Sequence, residues 1–164
     1  MGLQAVLAPV TTPGRCLALN GSSGYVDIRL AAPVHLPVSF TYEHVPASVA
    51  HDVRSAPRGL RATGFPGPPP PPPVPGGSEG GGEQGLESDT EGGVSLGSCV
   101  YDALAPARRA AETCGGGGAA AAGAEAAAAA AVTHVRFEFR GNHGHPAYTC
   151  LYRVRVHGSP AQFH

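Results

Sequence analysis

An antiparallel β-sandwich carrying long disordered insertions is the fold class that this sequence predicts. Several short stretches alternate apolar and polar residues at the two-residue period of a half-buried strand, "VTHVRFEFRG" being the clearest. Proline and glycine punctuate these stretches as turns do, with 17 Pro and 24 Gly concentrated in a few places. Two low-complexity tracts separate the strands without offering a helical pattern of their own, and such insertions hang from surface loops at little cost.

Residues 1–15 are an N-terminal extension, and the compact region starts at Cys16. In "GYVDIRL", Tyr25, Asp27 and Arg29 fall on one face and Val26, Ile28 and Leu30 on the other. "APVHLPVSFTYEH" comes next, broken by Pro33 and Pro37. Proline cannot donate to a ladder, so the strand is placed at residues 38–42. "SAPRGLRATGF" predicts a turn over residues 55–57 and a short strand near residues 60–63.

Residues 66–93 pass from polyproline into a Gly- and acid-rich linker. That composition cannot bury enough apolar surface to offset chain entropy, so disorder is expected. The proline run reads as a spacer, with a ligand for an SH3- or WW-type module as the alternative. A strand is predicted at residues 96–101, then a second low-complexity tract at 115–131. Alanine favours helix there, but no amphipathic face exists, so it reads as a loop with transient helix.

"VTHVRFEFRG" sets Val135, Phe137 and Phe139 against Arg136, Glu138 and Arg140. After the "NHGHP" turn, "CLYRVRVHG" alternates again, with Leu151, Arg153 and Arg155 opposite Tyr152, Val154 and Val156. The domain therefore spans residues 16–158, and residues 159–164 are a tail.

Composition excludes several classes. Eleven basic against 12 acidic residues leave a net charge of −1, which gives no electrostatic case for nucleic acid. No apolar run reaches the roughly 20 residues that span a bilayer. The start lacks the basic and apolar regions of a signal peptide, and Val6 stands where myristoylation wants Ser or Thr. Cys16, Cys99, Cys114 and Cys150 show no CxxC spacing, so a structural zinc site is not expected, while one or two disulfides are open in an oxidising compartment.

Chemistry concentrates in "NHGHPAYTCLYRVRVHG", residues 142–158. His143 and His145, with His134 and His157 nearby, could be metal ligands, but Gly144 and Pro146 make a turn and no acid joins them. Cys150 as a nucleophile lacks a motif that supplies a base and an oxyanion hole, so no enzyme is expected. Tyr148, Cys150 and Tyr152 are spaced two apart, which on a strand puts all three on one face. Two phenols over an apolar floor suit a carboxylate or a peptide end. The alternative is that one tyrosine packs in the core and Cys150 is simply buried.

The same stretch, "GNHGHPAYTCLYRVRVHG", resembles the closing signature of the SUN-domain family. "CLALNGSSGYVDIRL", "TYEHVPASVAHDVRSAPRG" and "SLGSCVYD" are similar to earlier segments of that family, so the resemblance covers residues 16–158 outside the two tracts. "SVAHD" is closer to the plant and algal form. The resemblance implies a jelly-roll, galactose-binding-like sandwich that forms a homotrimer and grips the C-terminal tail of KASH-type proteins. It implies residence at the nuclear envelope, on the perinuclear side of the inner membrane.

By that resemblance, Tyr148 and Tyr152 line the pocket for the tail's carboxylate. Gly21, Ser22, Ser23, Gly24, Tyr25, Val26, Asp27 and Ile28 belong to a hairpin lid that adds to the peptide as a strand. Cys16 matches a cysteine that bridges to the partner, and Cys150 holds a structural position. The loop 43–57, with Glu43, His44, Val45, Asp52 and Ser55, wraps a monovalent cation such as K+ mostly through carbonyls. The family's usual partner for Cys150 is missing here, since residues 17–98 contain no cysteine, which leaves Cys99 or Cys114 as substitutes. A preceding coiled coil and membrane helix are also missing, so membrane attachment is expected only through an anchor upstream of Met1. A divergent galactose-binding-like sandwich reading a glycan or an endoplasmic-reticulum client is the alternative, with Tyr25 and Tyr42 as its available aromatics.

Overall fold

A computed structural model describes residues 5–72, 92–104, 111–115 and 131–161. Among them are β1 (Leu17–Asn20), β2 (Ser23–Glu43), a 3-10 turn at Val53–Ser55, β3 (Pro57–Phe65), β4 (Val94–Val100), β5 (Ala111–Gly115), β6 (Val132–Asn142), β7 (Tyr148–Leu151) and β8 (Arg153–Pro160). Every ladder is antiparallel. The larger sheet runs β4-β3-β6-β2-β5 with β8 also on β2, and β1 pairs with β7 in a second, two-stranded sheet. A disulfide between Cys99 and Cys114, whose Cα atoms lie 5.6 Å apart, ties β4 to β5. It joins the two ends of the strand order, so the large sheet is nearly closed like a barrel. The predicted all-β sandwich is thus met, with one sheet strongly curled. The long tracts fall mostly at 73–91 and 116–130, outside the described residues.

The strand predicted at residues 38–42 is only the end of β2, which runs for 21 residues through both prolines. The prolines do not end the strand because they sit where the ladders skip. Pairing with β6 shifts register between Arg29 and Val34, and pairing with β8 shifts between His35 and Ser39. Residues 33 and 37 lie in those gaps, where no N–H is needed. β2 therefore has two unlike halves. Phe40 lies between Cys114 of β5 and Val156 of β8. Residues 23–29 pair with β6 alone. The edge that β8 covers from Val34 onward carries no strand over residues 23–33 among the described residues.

Val26, Phe40, Leu60, Leu96, Val135, Phe137, Phe139 and Val154 fill the core. Phe40 meets Phe137 edge-on, with ring centroids 5.4 Å apart, the geometry that aromatic quadrupoles favour. Gly24 faces this core, and a Cβ there would stand 2.8 Å from the ring of Phe139. Packing therefore requires the glycine.

Two sequence expectations change. Arg136, predicted to face outward, is 3% exposed. It lies directly across the ladder from Asp27 and donates two hydrogen bonds to it, at 2.7 and 2.8 Å, with its guanidinium 4.7 Å from the centre of the Tyr25 ring. Leu151, predicted to share a face with Arg153 and Arg155, is buried, and so is its neighbour Tyr152. The chain leaves β7 and enters β8 at this point. Leu151 accordingly joins the main core while Tyr152 packs into a smaller cluster with Val45 and Cys150.

Candidate functional site

That smaller cluster floors a pocket of about 300 Å³. Tyr148 and Cys150 reach it from alternate positions of β7, and Tyr152 reaches it from the crossing into β8. Gly14, Cys16 and Ala18 contribute from the first strand and the segment before it; His44, Ala50, His51, Asp52 and Ser55 contribute from the loop after β2. The Tyr152 hydroxyl accepts the Gly14 N–H at 3.1 Å. Its lone pair is thus engaged and its proton is free to be donated. Gly14 has φ +77°, a left-handed backbone conformation that favours glycine, and a Cβ on it would stand 2.9 Å from the end of the His51 side chain.

His44 is 2% exposed and packs edge-on against Tyr152, with ring centroids 4.7 Å apart. Its Nδ1 lies 2.7 Å from the Val45 carbonyl. A carbonyl only accepts, so Nδ1 carries the proton and Nε2 is an acceptor. That Nε2 is buried without a partner among the described residues. Burial pushes the His44 pKa below its ordinary value, which keeps the ring neutral. At the rim, hydrogen bonds from Arg54 hold the Asp52 carboxyl at a pKa of about 2, so its charge is permanent and already matched. The pocket thus offers phenol donors and, in His44, a buried imidazole acceptor over an apolar floor.

His44 also makes stability depend on pH. Its folded pKa is depressed, so below about pH 6.5 the unfolded chain takes up a proton that the folded chain resists. This contribution is intact above that pH and declines as the pH falls. Melting temperatures at pH 7 and pH 5 should differ less in His44→Gln than in the wild type. Equal differences would rule out His44 as a source.

Several residues take different roles from those the sequence suggested. Tyr148, Cys150 and Tyr152 do share a face and a pocket. Cys16 is bonded to Cys150 within the chain, Cα–Cα 5.5 Å, and is therefore not a free thiol for a partner. Cys150 equally has no thiol to act as a nucleophile, and Cys99 and Cys114 pair with each other instead of substituting for its missing partner. Gly21 and Ser22 form the turn after β1, and Ser23, Gly24, Tyr25, Val26, Asp27 and Ile28 belong to the half of β2 paired with β6. Gly24 and Val26 face the core, and Asp27 is committed to Arg136.

Glu43 is held by Arg153 and Arg155, away from the pocket, while His44, Asp52 and Ser55 line it and Val45 packs beneath it. The histidines scatter: His134 contacts Thr133, His143 contacts the Tyr101 carbonyl and His157 contacts Thr41. Among the described residues no group of three His, Cys, Asp or Glu side chains could hold a metal ion. Gly14, Ala18, Ala50 and His51 carried no sequence signal, because they meet the tyrosines only through the fold.

Fold and pocket together define an antiparallel β module built around a small hydrogen-bonding cleft. The Sad1 / UNC-like C-terminal family model matches residues 1–69 and 122–160, and the chain belongs to that family, the SUN domains. SUN domain-containing protein 2 of Arabidopsis thaliana is 36% identical over 146 residues, which is 89% of this chain and 26% of the relative. SUN domain-containing protein 1 of Homo sapiens is 30% identical over 162 residues, 97% of this chain and 17% of the relative. The Klaroid protein of Drosophila melanogaster is 29% identical over 159 residues, 96% and 13%. The chain thus spans about a quarter or less of the length of these relatives.

Proposed function

We propose that this chain is a non-enzymatic receptor for the C-terminal tail of KASH-type proteins. In this role it would work at the perinuclear face of the nuclear envelope, as a homotrimer, linking the envelope to the cytoskeleton for nuclear positioning. The observation that carries the reading is the convergence of Tyr148, Tyr152 and His44 on one pocket. Two phenol donors suit a terminal carboxylate, and the buried His44 Nε2 suits a peptide N–H or a bound water. The strand-free edge over residues 23–33 supports the same reading, because an extended tail could add there as a strand. That edge begins just past Asn20, which pairs with Tyr148.

A K+ ion in the loop 43–57 belongs to the same proposal. The loop's carboxylates do not converge, Glu43 being paired with Arg153 and Arg155 and Asp52 with Arg54. Such an ion would therefore rest on backbone carbonyls.

Titration with a KASH-type tail peptide tests the reading. Wild type should bind the free-carboxylate form, and Tyr148→Phe with Tyr152→Phe should weaken it about tenfold or more, since a hydrogen bond to a charged group is worth about 1.5–3 kcal/mol. Amidating the peptide should have a comparable effect. Unchanged binding after both changes would sink the carboxylate pocket. Repeating the titration with choline in place of K+ tests the ion, whose role requires weaker binding without it. The glycan alternative loses support, because Tyr42, one of its two aromatics, is fully buried.

A further inference from the structure

His145 lies in the turn between β6 and β7, outside the set of side chains that line the pocket. Its Nδ1 accepts the N–H groups of Ala147 and Tyr148 at 3.3 and 3.2 Å. Two donors on Nδ1 mean that the ring hydrogen sits on Nε2, which faces an Asp52 carboxylate oxygen at 3.9 Å. The His145 N–H donates to the Arg54 carbonyl at 3.2 Å, and its own carbonyl accepts from the Asn142 side chain at 2.9 Å. The residue is thus hydrogen-bonded through its backbone N–H, its carbonyl and its Nδ1, while Nε2 only stands near the Asp52 carboxylate. Its ring packs on Tyr148, with centroids 3.9 Å apart and planes at 49°.

Tyr148 needs such a wall more than Tyr152 does. Tyr152 is buried, with its hydroxyl fixed by Gly14. Tyr148 is half-buried, and among the described residues no hydrogen bond holds its hydroxyl. A free phenol must be immobilised when a ligand binds, and that ordering weakens affinity.

We propose that His145 is a positioning residue for Tyr148, holding the phenol where its hydroxyl meets a ligand carboxylate. Its contact with Asp52 joins that orientation to the loop on the far wall. The proposal rests on the carboxylate reading of the pocket and deepens it.

His145→Asn separates the turn from the ring, because an Asn side-chain oxygen can accept the same N–H groups of the turn. In the full chain, His145→Asn should weaken a free-carboxylate KASH-type tail peptide roughly three- to tenfold, with an unchanged melting temperature. In a Tyr148→Phe background the same change should have no further effect, and the amidated peptide should not register it. His145→Phe, which keeps a ring, should retain most of the affinity and serves if the Asn variant fails to fold. Equal losses with and without the Tyr148 hydroxyl would overturn the proposal.

NMR of ring-labelled Tyr148 makes the two readings separable. Ring signals that become averaged in His145→Asn support positioning, and unaltered signals overturn it whatever the peptide does. A wild type that fails to distinguish free from amidated peptide, while the ring is released in His145→Asn, overturns the carboxylate reading and leaves only the restraint of the Tyr148 ring by His145 standing.

Discussion

Replacing Cys16 and Cys150 together by alanine should lower the free energy of unfolding by about 2–5 kcal/mol. The bridge links residues 134 apart in sequence, so it closes most of the chain into one loop. In the chain-entropy account, closing a loop of that size removes roughly 5 kcal/mol of unfolded-state freedom, and measured losses fall at or below such values. A second argument is local. β1 and β7 are four residues each and, among the described residues, pair only with one another, and an isolated two-stranded sheet is marginal in water. The bridge fastens that small sheet at the wall of the pocket. Urea unfolding should therefore show a lower midpoint and a slightly larger slope, because the unlinked chain exposes more surface.

The companion pair Cys99 and Cys114 closes only 15 residues. Loop entropy alone makes its removal about 2 kcal/mol less damaging. If removing the short bridge proves worse, closure of the curled sheet outweighs chain entropy, since Cys114 is also a buried core residue.

Alternation was enough to find β6, because one of its faces is the core. It misjudged the other face, where Arg136 is buried by a partner that stands 109 residues away in sequence. Likewise, the prolines of β2 looked like strand breaks, since a sequence does not reveal where two neighbouring ladders skip a residue. The tyrosine pair of the pocket was legible from spacing, which places Tyr148 and Cys150 on one face of a strand. Tyr152 kept to that face for a different reason, a change of sheet right after Leu151. His44 showed no sign of its role in "TYEHVP". Its unpartnered Nε2 becomes visible only once the loop folds over Tyr152. The pairing of Cys16 with Cys150 was equally hidden, because it depends on β1 and β7 lying side by side.

Asp27→Ala should cost about 3 kcal/mol or somewhat more, the lower end of the loss expected when one partner of a buried pair is removed. Arg136 is the reason. Its side chain is 4% exposed, and hydrogen bonding to Asp27 raises its pKa above an already high value, so it stays charged. Truncating Asp27 leaves that charge with the Tyr25 and Phe65 rings as neighbours, which offset only part of the loss. The Asp27 side chain is one-third exposed, and water entering there keeps the cost from the upper end of the range. Asp27→Asn should be milder, because one amide oxygen still accepts. The decisive variant is the double change Asp27→Leu with Arg136→Met. A buried ion pair replaced by apolar groups of similar volume is often neutral, so the double variant should recover most of the stability that Asp27→Ala loses. Urea melts of the set measure this through the midpoint. A double variant as unstable as Asp27→Ala would mean that the pair adds net stability of its own. The recovered variant would then be suited to testing tail binding at the open edge of β2, with the Asp27 charge removed and the strand intact.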